Sequence, residues 1–205
     1  MNGKPTAPAA ERNRKSILGV LRYEFNDLSA ILEIGSGTGQ HAVYFSEQLP
    51  HLSWQSSDVA ENHAAIRAWL DDAGLPDIAA PLDLDVLNAA PVIGFDGVYS
   101  ANTAHIMSAA AVEKMFSLVS ETLPKGGVFV LYGPFRQDGK FNAPSNAEFH
   151  RSLRRANPAM GIRHLEELDA LAQAGQMRRR RLYAMPANNH IAVWIKDDAV
   201  SPLSD

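Results

Sequence analysis

Residues 31–39, which read ILEIGSGTG, constrain the fold of this chain more than any other stretch. The apolar start is typical of a buried β-strand, and three alternating glycines follow it. Because glycine has no Cβ, a backbone with this spacing can bend tightly and approach a ligand closely. In doubly wound α/β proteins, such a turn between a strand and a helix is where nucleotide-like ligands bind. The stretch therefore predicts a strand, a ligand-binding turn and a helix.

Strand-like and helix-like patterns alternate over most of the remaining sequence. The helical patterns cover residues 11–25, 40–49, 62–73, 109–123, 148–156 and 165–174, and the strand-like runs cover 30–34, 52–57, 81–84, 95–101, 128–132, 177–185 and 190–196. This alternation predicts an α/β fold, Rossmann-like and doubly wound, with helices on both faces of a mostly parallel sheet. The last two runs are separated only by residues 186–189, which favours an antiparallel hairpin.

Three segments lack a clear pattern. The Pro- and Ala-rich residues 1–10 are predicted to be irregular, residues 133–146 to form a long loop, and residues 198–205 to form a flexible tail. Neither a repeat nor a long linker divides the chain. We therefore expect a single domain over residues 1–205, a length that can enclose a full hydrophobic core.

Composition excludes several kinds of site and partner. The chain has no cysteine, which excludes disulfides, thiolate metal sites and cysteine nucleophiles. No apolar run reaches the ~18 residues that span a bilayer, and residues 1–10 lack the apolar core of a signal peptide. We therefore expect a cytoplasmic protein with no membrane partner. The net charge of −4 argues against a nucleic-acid partner, and the histidines show no metal-ligand spacing, so no metal is expected.

The spacing of the glycines separates two kinds of ligand. A dinucleotide fingerprint needs Gly or Ala at the sixth position from its first glycine, and Gln40 occupies that position here. Glu33 would stand beside the ligand, where a carboxylate repels a pyrophosphate and attracts an ammonium group. S-adenosyl-L-methionine carries an ammonium and a sulfonium and has no phosphate, so the pattern favours it as cofactor. The alternative is a solvated carboxylate before an ordinary tight turn.

With these residues, the sequence from about Glu11 to Lys196 resembles the class I S-adenosylmethionine-dependent methyltransferases. The resemblance implies a seven-stranded sheet whose last strand is inserted antiparallel. It also implies that the turn passes under the methionine part of the cofactor and that Glu33 contacts the cofactor's amino group. The residues of the turn assigned to the cofactor are Gly35, Ser36, Gly37 and Gly39.

Further acidic positions are assigned to the same cofactor. Asp58 ends the second predicted strand, where nucleotide-binding units place a carboxylate on the ribose hydroxyls, and Val59 is assigned with it. The alternative is that Asp58 caps the following helix. In the family, an acidic residue after the third strand contacts the adenine amino group and the next residue packs on the ring. This implies Asp83 and Leu84, with Asp85 as an alternative to Asp83.

The segment after the fourth predicted strand is expected to face the methyl group, because ligands lie beyond the carboxyl ends of the strands. Asn102 and His105 are polar residues in an otherwise apolar stretch and are the candidate catalytic residues. Asn102 is also assigned to the cofactor and Thr103 to the substrate. His105 titrates near neutral pH and could act as a general base. The alternatives are a substrate contact or a hydrogen bond to a loop carbonyl.

Four short segments resemble a narrower group, a small uncharacterised methyltransferase-like family of bacteria and animals. They are AERN at 10–13, NTAH at 102–105, YGPF at 132–135 and MPANN at 185–189, and all map to one rim of the predicted sheet. Residues in these segments are therefore assigned to the site. Arg12 and Asn13 are assigned to the cofactor, and Tyr132, Phe135, Asn188 and Asn189 to the substrate.

The predicted function is methyl transfer from S-adenosylmethionine to a small-molecule acceptor. The choice of acceptor rests on the acidic pI and on the absence of an added recognition domain. The alternatives are a protein or RNA acceptor, or a non-catalytic cofactor-binding or protein-interaction module with the same fold. Four consecutive arginines at 178–181 could contact RNA. Alternate strand residues face opposite sides, however, which favours a solvated strand.

Overall fold

The computed structural model describes residues 4–75 and 79–197. Its helices are α1 (Pro8–Glu24), α2 (Gln40–Gln48), α3 (His63–Ala73), α4 (Ala109–Thr122), α5 (Pro144–Ala156) and α6 (Leu165–Ala174). Its strands are β1 (Ala30–Ile34), β2 (Ser53–Asp58), β3 (Leu82–Asp83), β4 (Gly97–Ala101), β5 (Val128–Gly133), β6 (Phe135–Gln137), β7 (Lys140–Phe141), β8 (Arg163–His164), β9 (Met177–Met185) and β10 (Asn189–Lys196). None of the described helices is long and apolar enough to cross a membrane.

Seven strands form one sheet in the order β3-β2-β1-β4-β5-β10-β9. Neighbouring strands run parallel from β3 to β5, and β10 pairs antiparallel with both β5 and β9. The predicted seven-stranded sheet with its last strand inserted antiparallel is confirmed. The strand order reverses between β1 and β4, so the carboxyl ends of these two strands flank a crevice.

The sheet is buried on both faces because successive strand residues point into two different apolar layers. Ile31 of β1 packs with α1, α2 and α3, while the next residue, Leu32, packs with α4 and α6. Aromatic rings fill the centre of each layer: Phe45, Trp54 and Tyr99 in the first, and Phe116, Phe129 and Trp194 in the second. A shift of one residue would move every side chain of a strand into the opposite layer, so this packing fixes the register.

The structure differs from the predicted layout where the sequence lacks periodicity. Helix α1 begins at Pro8, so residues 8–10 are helical and the prediction of an irregular segment is wrong there. Proline is favoured in a first helical turn because its missing N–H needs no partner. The predicted loop 133–146 contains β6, β7 and the start of α5 at Pro144. Strand β6 pairs with β7 and β8 in a small second sheet. The predicted tail 198–205 lies outside the described residues.

Candidate functional site

The predicted glycine turn joins β1 to α2, and all three of its glycines have a positive φ: +74° at Gly35, +59° at Gly37 and +86° at Gly39. A Cβ at Gly35 would stand 2.5 Å from Cγ2 of Thr103, and one at Gly39 would stand 3.0 Å from Cα of Ile66. A Cβ at Gly37 would meet no atom within 4 Å. Packing therefore requires the outer two glycines, while Gly37 leaves its backbone open to close approach.

A cavity of about 450 Å³ lies over this turn, at the carboxyl ends of β1, β2 and β4. Residues predicted for the site line part of it: Glu33, Gly35, Ser36, Gly37, Asp58, Asn102 and Thr103. The rest of its wall was not assigned from the sequence: Ala7, Ala9, Ala10, Thr38, His41, Asn62, Ala101, Ile106 and Met107. Two carboxyl groups stand on this wall, and no lysine or arginine is among its described residues.

Glu33 is the most perturbed acid of the cavity. It is only 2% exposed, and its Oε2 accepts a hydrogen bond of 3.0 Å from Nε1 of Trp54. Burial raises the pKa of Glu33 to about 7, and the nearby Asp58 adds a smaller upward effect that hydrogen bonds from Trp54 and Ser36 oppose. A carboxyl with this pKa is only partly charged at pH 7, and a cation beside it would favour the charged form.

Asp58 holds the glycine turn against β2. Its Oδ2 accepts a hydrogen bond from the Gly37 amide (2.7 Å), and its Oδ1 accepts from the Val59 amide (2.8 Å) and from Nδ2 of Asn62 (2.9 Å). A carboxylate has about four acceptor positions, so one remains for a ligand. Helix α3 is preceded by Asn62 and has no side-chain cap, which excludes Asp58 as its cap. Val59 offers only its amide here and does not line the cavity.

The acidic positions near β3 lie off the cavity wall. Asp83 is exposed at the end of β3, and Leu84 is buried in the core. Asp85 closes its own turn, because its Oδ1 accepts from the Leu87 amide (3.0 Å) and its Oδ2 from Nδ2 of Asn88 (2.8 Å). Of the two carboxylates predicted to contact adenine, Asp83 is the exposed one, and Leu84 presents no side-chain surface to the cavity.

Asn102 follows β4 in a strained conformation. Its φ is +61°, a region that is costly for most side chains and that asparagine tolerates best among them. Its amide donates to the Tyr132 carbonyl (2.9 Å). Thr103 is held beside it by a hydrogen bond of 2.7 Å between its Oγ1 and Oγ of Ser100. Backbone strain at the carboxyl end of a central strand is frequent at functional sites.

His105, the candidate general base, is not among the residues that line the cavity. It is 7% exposed, and its ring packs edge-on against Phe149 with 5.3 Å between centroids. Burial, with a smaller contribution from the charge of Arg163, lowers the pKa of His105 to about 4. The ring is therefore neutral at pH 7. Its sequence neighbour Ile106 reaches the cavity, but His105 does not.

The N-terminal segment supplies one wall of the cavity. Ala7, Ala9 and Ala10 line it. The Ala7 amide donates to Oε1 of Gln40 (2.5 Å), and the same oxygen accepts from the Thr38 hydroxyl (3.0 Å). Gln40 thus connects the N-terminal segment to the glycine turn. Gln40, which excludes a dinucleotide fingerprint in the sequence, therefore also has a structural role.

The predicted cofactor residues of α1 do not line the cavity. Arg12 is exposed. Asn13 is buried, and its Oδ1 accepts from Nε2 of His41 (2.8 Å), while Nδ1 of His41 accepts from the Tyr99 hydroxyl (3.2 Å). His41 does line the cavity, and burial lowers its pKa to about 4, so it presents a neutral ring. Sequence reasoning missed His41, whose one signal is its position just after the glycine turn.

Of the residues assigned to the substrate, Thr103 lines the cavity. The other four are not on its wall: Tyr132, Phe135, Asn188 and Asn189. Tyr132 and Phe135 are buried. Burial raises the pKa of Tyr132, and hydrogen bonds with Asn13 and Asn189 oppose that rise. The Asn188 carbonyl accepts from Nδ2 of Asn146 (2.9 Å). Tyr132 thus ties α1 to the turn between β9 and β10, and Asn188 ties that turn to α5.

The four arginines at 178–181 are each paired with a carboxylate: Arg178 with Asp197, Arg179 with Asp169, and Arg180 and Arg181 with Glu24. Three carboxylates therefore offset most of the charge of these four arginines. A second cavity of about 680 Å³ lies against these pairs and contains no residue predicted for the site. In the part of the chain that the structure describes, no three His, Asp or Glu residues are grouped to hold a metal ion.

The sheet order, the glycine turn and the cavity beyond it define the fold of the class I S-adenosylmethionine-dependent methyltransferases, and solved structures show the same fold. The S-adenosylmethionine-dependent methyltransferase SibL gives a TM-score of 0.78 at 16% identity, over 92% of this chain and 56% of that one. An O-methyltransferase family protein from Burkholderia thailandensis gives a TM-score of 0.79 at 12% identity, over 93% of this chain and 58% of that one. Human N-acetylserotonin methyltransferase, in complex with SAM, gives a TM-score of 0.77 at 14% identity, over 92% of this chain and 53% of that one.

The chain belongs to the family described as "Protein of unknown function (DUF938)", whose model matches residues 4–196. The predicted resemblance to an uncharacterised methyltransferase-like family is confirmed. The chain spans a little over half the length of the three methyltransferases above, so their acceptors cannot simply be transferred to it.

Proposed function

We propose that this protein is an S-adenosylmethionine-dependent methyltransferase with a small-molecule acceptor. The observation that carries the proposal is the cavity over the glycine turn, whose described wall holds Glu33 and Asp58 but no lysine or arginine. A wall of this charge disfavours the phosphates of a dinucleotide and favours a ligand with cationic groups. The methyltransferase fold supports the same assignment.

The cavity residues fit this cofactor in charge and in shape. Glu33 is buried against Trp54 and has no cationic partner among the described residues, so an ammonium group would supply the missing charge. Asp58 keeps one acceptor position for a ribose hydroxyl, and Gly37 leaves its backbone open. When bound, the cofactor supplies an electrophilic methyl group on its sulfonium.

The chain itself contributes binding and alignment. Asn102 and Thr103 stand on the cavity wall at the end of β4, where they can orient an acceptor for in-line attack. His105 is not on this wall, and its lowered pKa makes it a weak proton acceptor, so we assign it no proton transfer. An acceptor atom that is already nucleophilic needs no general base. Alignment is therefore the larger part of the proposed mechanism.

Calorimetric titration of S-adenosylmethionine into the full chain tests the cofactor. We expect saturable binding, and we expect Glu33→Gln to weaken it roughly 10- to 100-fold, because a charge-assisted hydrogen bond contributes about 1.5–3 kcal/mol. We also expect wild-type affinity to rise between pH 6 and pH 8, since binding an ammonium group requires Glu33 to lose its proton. The Glu33→Gln variant has no such proton to lose, so its affinity should be flat over this range.

A matched ligand separates this role from general damage. Methylthioadenosine has the nucleoside but no amino-acid part, so Glu33→Gln should leave its affinity unchanged within about twofold. Absence of heat with S-adenosylmethionine at millimolar concentration would contradict the proposed function. Equal weakening of both ligands would remove Glu33 from contact with the ammonium group.

A further inference from the structure

Charge is distributed unevenly along this chain. Residues 133–164 contain six lysines and arginines against two carboxylates, while the rest of the chain contains 13 against 21. The basic segment runs from the end of β5 through β6, β7 and α5 to β8. Positive charge is thus concentrated beyond the carboxyl end of β5, on an otherwise acidic chain. A local field of this kind attracts anionic ligands.

Basic side chains from three elements converge around one imidazole, that of His150 on α5. The group, called the arginine cluster below, consists of Arg136, His150, Arg154, Arg163 and His164. Burial is the largest effect that lowers the pKa of His150, and the charges of the other four members lower it further. The Phe141 ring holds two members together, since it lies 5.2 Å from the His150 ring and 4.6 Å from the guanidinium carbon of Arg136.

The arginine cluster has little counter-charge. Within residues 4–75 and 79–197, no carboxylate lies within 4 Å of its arginines, whereas the arginines at 178–181 are all paired. Glu166 and Glu167 affect His164 and Arg163 from a greater distance. Nε of Arg136 is buried without a hydrogen-bond partner. Like charges held together in this way repel one another, and a bound anion would relieve the repulsion.

Arg163 connects the cluster to the wall of the cofactor cavity. Its Nε donates to the Ala104 carbonyl (3.0 Å), and its Nη2 donates to the carbonyls of Met107 and Ala159. Met107 lines the cavity. One guanidinium therefore both belongs to the arginine cluster and fixes the loop that forms the cavity's edge.

Exposed apolar side chains lie between the cavity and the cluster. Ile106 lines the cavity and is 49% exposed. Phe149 is 40% exposed and packs on His105, the neighbour of Ile106 in sequence. Phe149 also directly precedes His150 on α5. These two exposed apolar side chains thus connect the cavity wall, through His105, to the helix that carries the arginine cluster.

We propose that the methyl acceptor is a small organic anion, with its apolar part on Ile106 and Phe149 and its carboxylate or phosphate on the arginine cluster. The inference rests on the proposed function, because it places the acceptor beside the cofactor cavity. Arginine guanidinium groups bind both kinds of anion through paired hydrogen bonds. The cluster surrounds a single side chain and does not form the long cationic track with stacking aromatics that single-stranded RNA uses, which favours a small anion.

Titration of the full chain with phenyl phosphate, benzoate and benzyl alcohol tests this. The imidazole NMR signal of His150 reports binding, and its pKa should rise when an anion is bound beside it. We expect saturable binding of phenyl phosphate or benzoate, and the tighter of the two identifies the anionic group. Benzyl alcohol has the same ring without the charge and should bind at least about tenfold more weakly.

A pair of arginines on one helix gives a matched control. Arg154→Gln removes an exposed member of the cluster and should weaken anion binding about tenfold. Arg155→Gln removes the same charge from the adjacent position, outside the cluster, and should change binding by less than about twofold. Both side chains are exposed, so both variants should unfold at the wild-type temperature.

Three outcomes would overturn the inference. They are the absence of saturable binding by either anion, equal effects of the two arginine variants, and displacement of phenyl phosphate by micromolar mixed-sequence RNA, which would indicate a nucleic-acid surface. Anion binding is measured without S-adenosylmethionine. Loss of cofactor binding with intact anion binding would therefore refute the methyltransferase proposal alone. Loss of anion binding with intact cofactor binding would refute the proposed acceptor alone.

Discussion

Glu33 shows how a residue proposed to bind a ligand can oppose the stability of the fold. Its carboxyl is buried with an indole N–H as partner and with a second carboxylate, Asp58, nearby. Burying an acid in this way raises its pKa to about 7, so the folded protein holds a proton that the unfolded chain releases near pH 4.5. The apo protein should therefore lose stability as pH rises through this window.

Glu33→Gln should stabilise the apo protein. The substitution keeps the shape and the acceptor for Trp54 but removes the ionisation, so the gain should be roughly 3 kcal/mol at pH 8 and about 1 kcal/mol at pH 5. Urea unfolding of wild type and variant at both pH values measures it. A gain that does not change with pH, or a loss of stability at pH 8, would contradict this account of Glu33.

The N-terminal segment and the first turn of α1 form one wall of the cavity over the glycine turn. Pro5 is attached to α3 through its carbonyl, which accepts from Nε1 of Trp69 (2.7 Å). Lys4 lies 4.0 Å from the centre of the same ring and pairs with Asp72. These contacts hold the segment where Ala7 and its neighbours form the wall.

Trp69→Phe should loosen this element without damaging the sheet. The variant loses the hydrogen bond to Pro5 but keeps an aromatic ring under Lys4, so stability should fall by only about 1 kcal/mol. The amide of Ala7 should exchange its hydrogen faster in the variant, while the amide of Glu33 in β1 provides an internal control that does not change. Unchanged exchange at Ala7 would mean that Trp69 does not hold the segment.

Across the whole molecule, α1 also connects the cofactor cavity to the far edge of the sheet. Glu24, at the end of α1, is buried and pairs with Arg180 and Arg181 of β9. Its Oε1 also accepts from the Tyr183 hydroxyl (2.5 Å). These pairs link positions that lie more than 150 residues apart in the sequence. The edge strand is thereby attached to the helix that covers the site.

Glu24→Gln should destabilise the protein by about 1–3 kcal/mol, because it leaves two arginines without their carboxylate while their partly exposed guanidinium groups can still be hydrated. The loss should diminish at high salt, where wild type also loses part of the attraction. Thermal unfolding of both proteins at low and high salt measures this. A variant as stable as wild type would show that packing alone fastens β9.

The sequence predicts the helices and strands that have a periodic apolar pattern. It also predicts site residues whose side-chain chemistry and position in a motif indicate the same role. The bounds of β1 and α6 are predicted correctly because their apolar patterns are local. Glu33, Asp58 and Asn102, which the sequence assigns to one site, line one cavity because each lies at the carboxyl end of a strand. The small sheet is different, since Phe135 pairs with Arg163 and no local pattern records such a long-range contact. His41 likewise reaches the cavity only through packing.

Positive charge is in excess in residues 133–164 and negative charge in the rest of the chain, and a separation of charge in space is an electric dipole. A dipole orients a charged molecule before contact and raises the rate of productive encounters with each face. A cationic cofactor approaching the acidic side and an anionic acceptor approaching the basic side would not compete for the same path. Both association rates should therefore fall together as ionic strength rises. Under the proposed function, the sign of its charge would direct each ligand to its own side of the protein before contact.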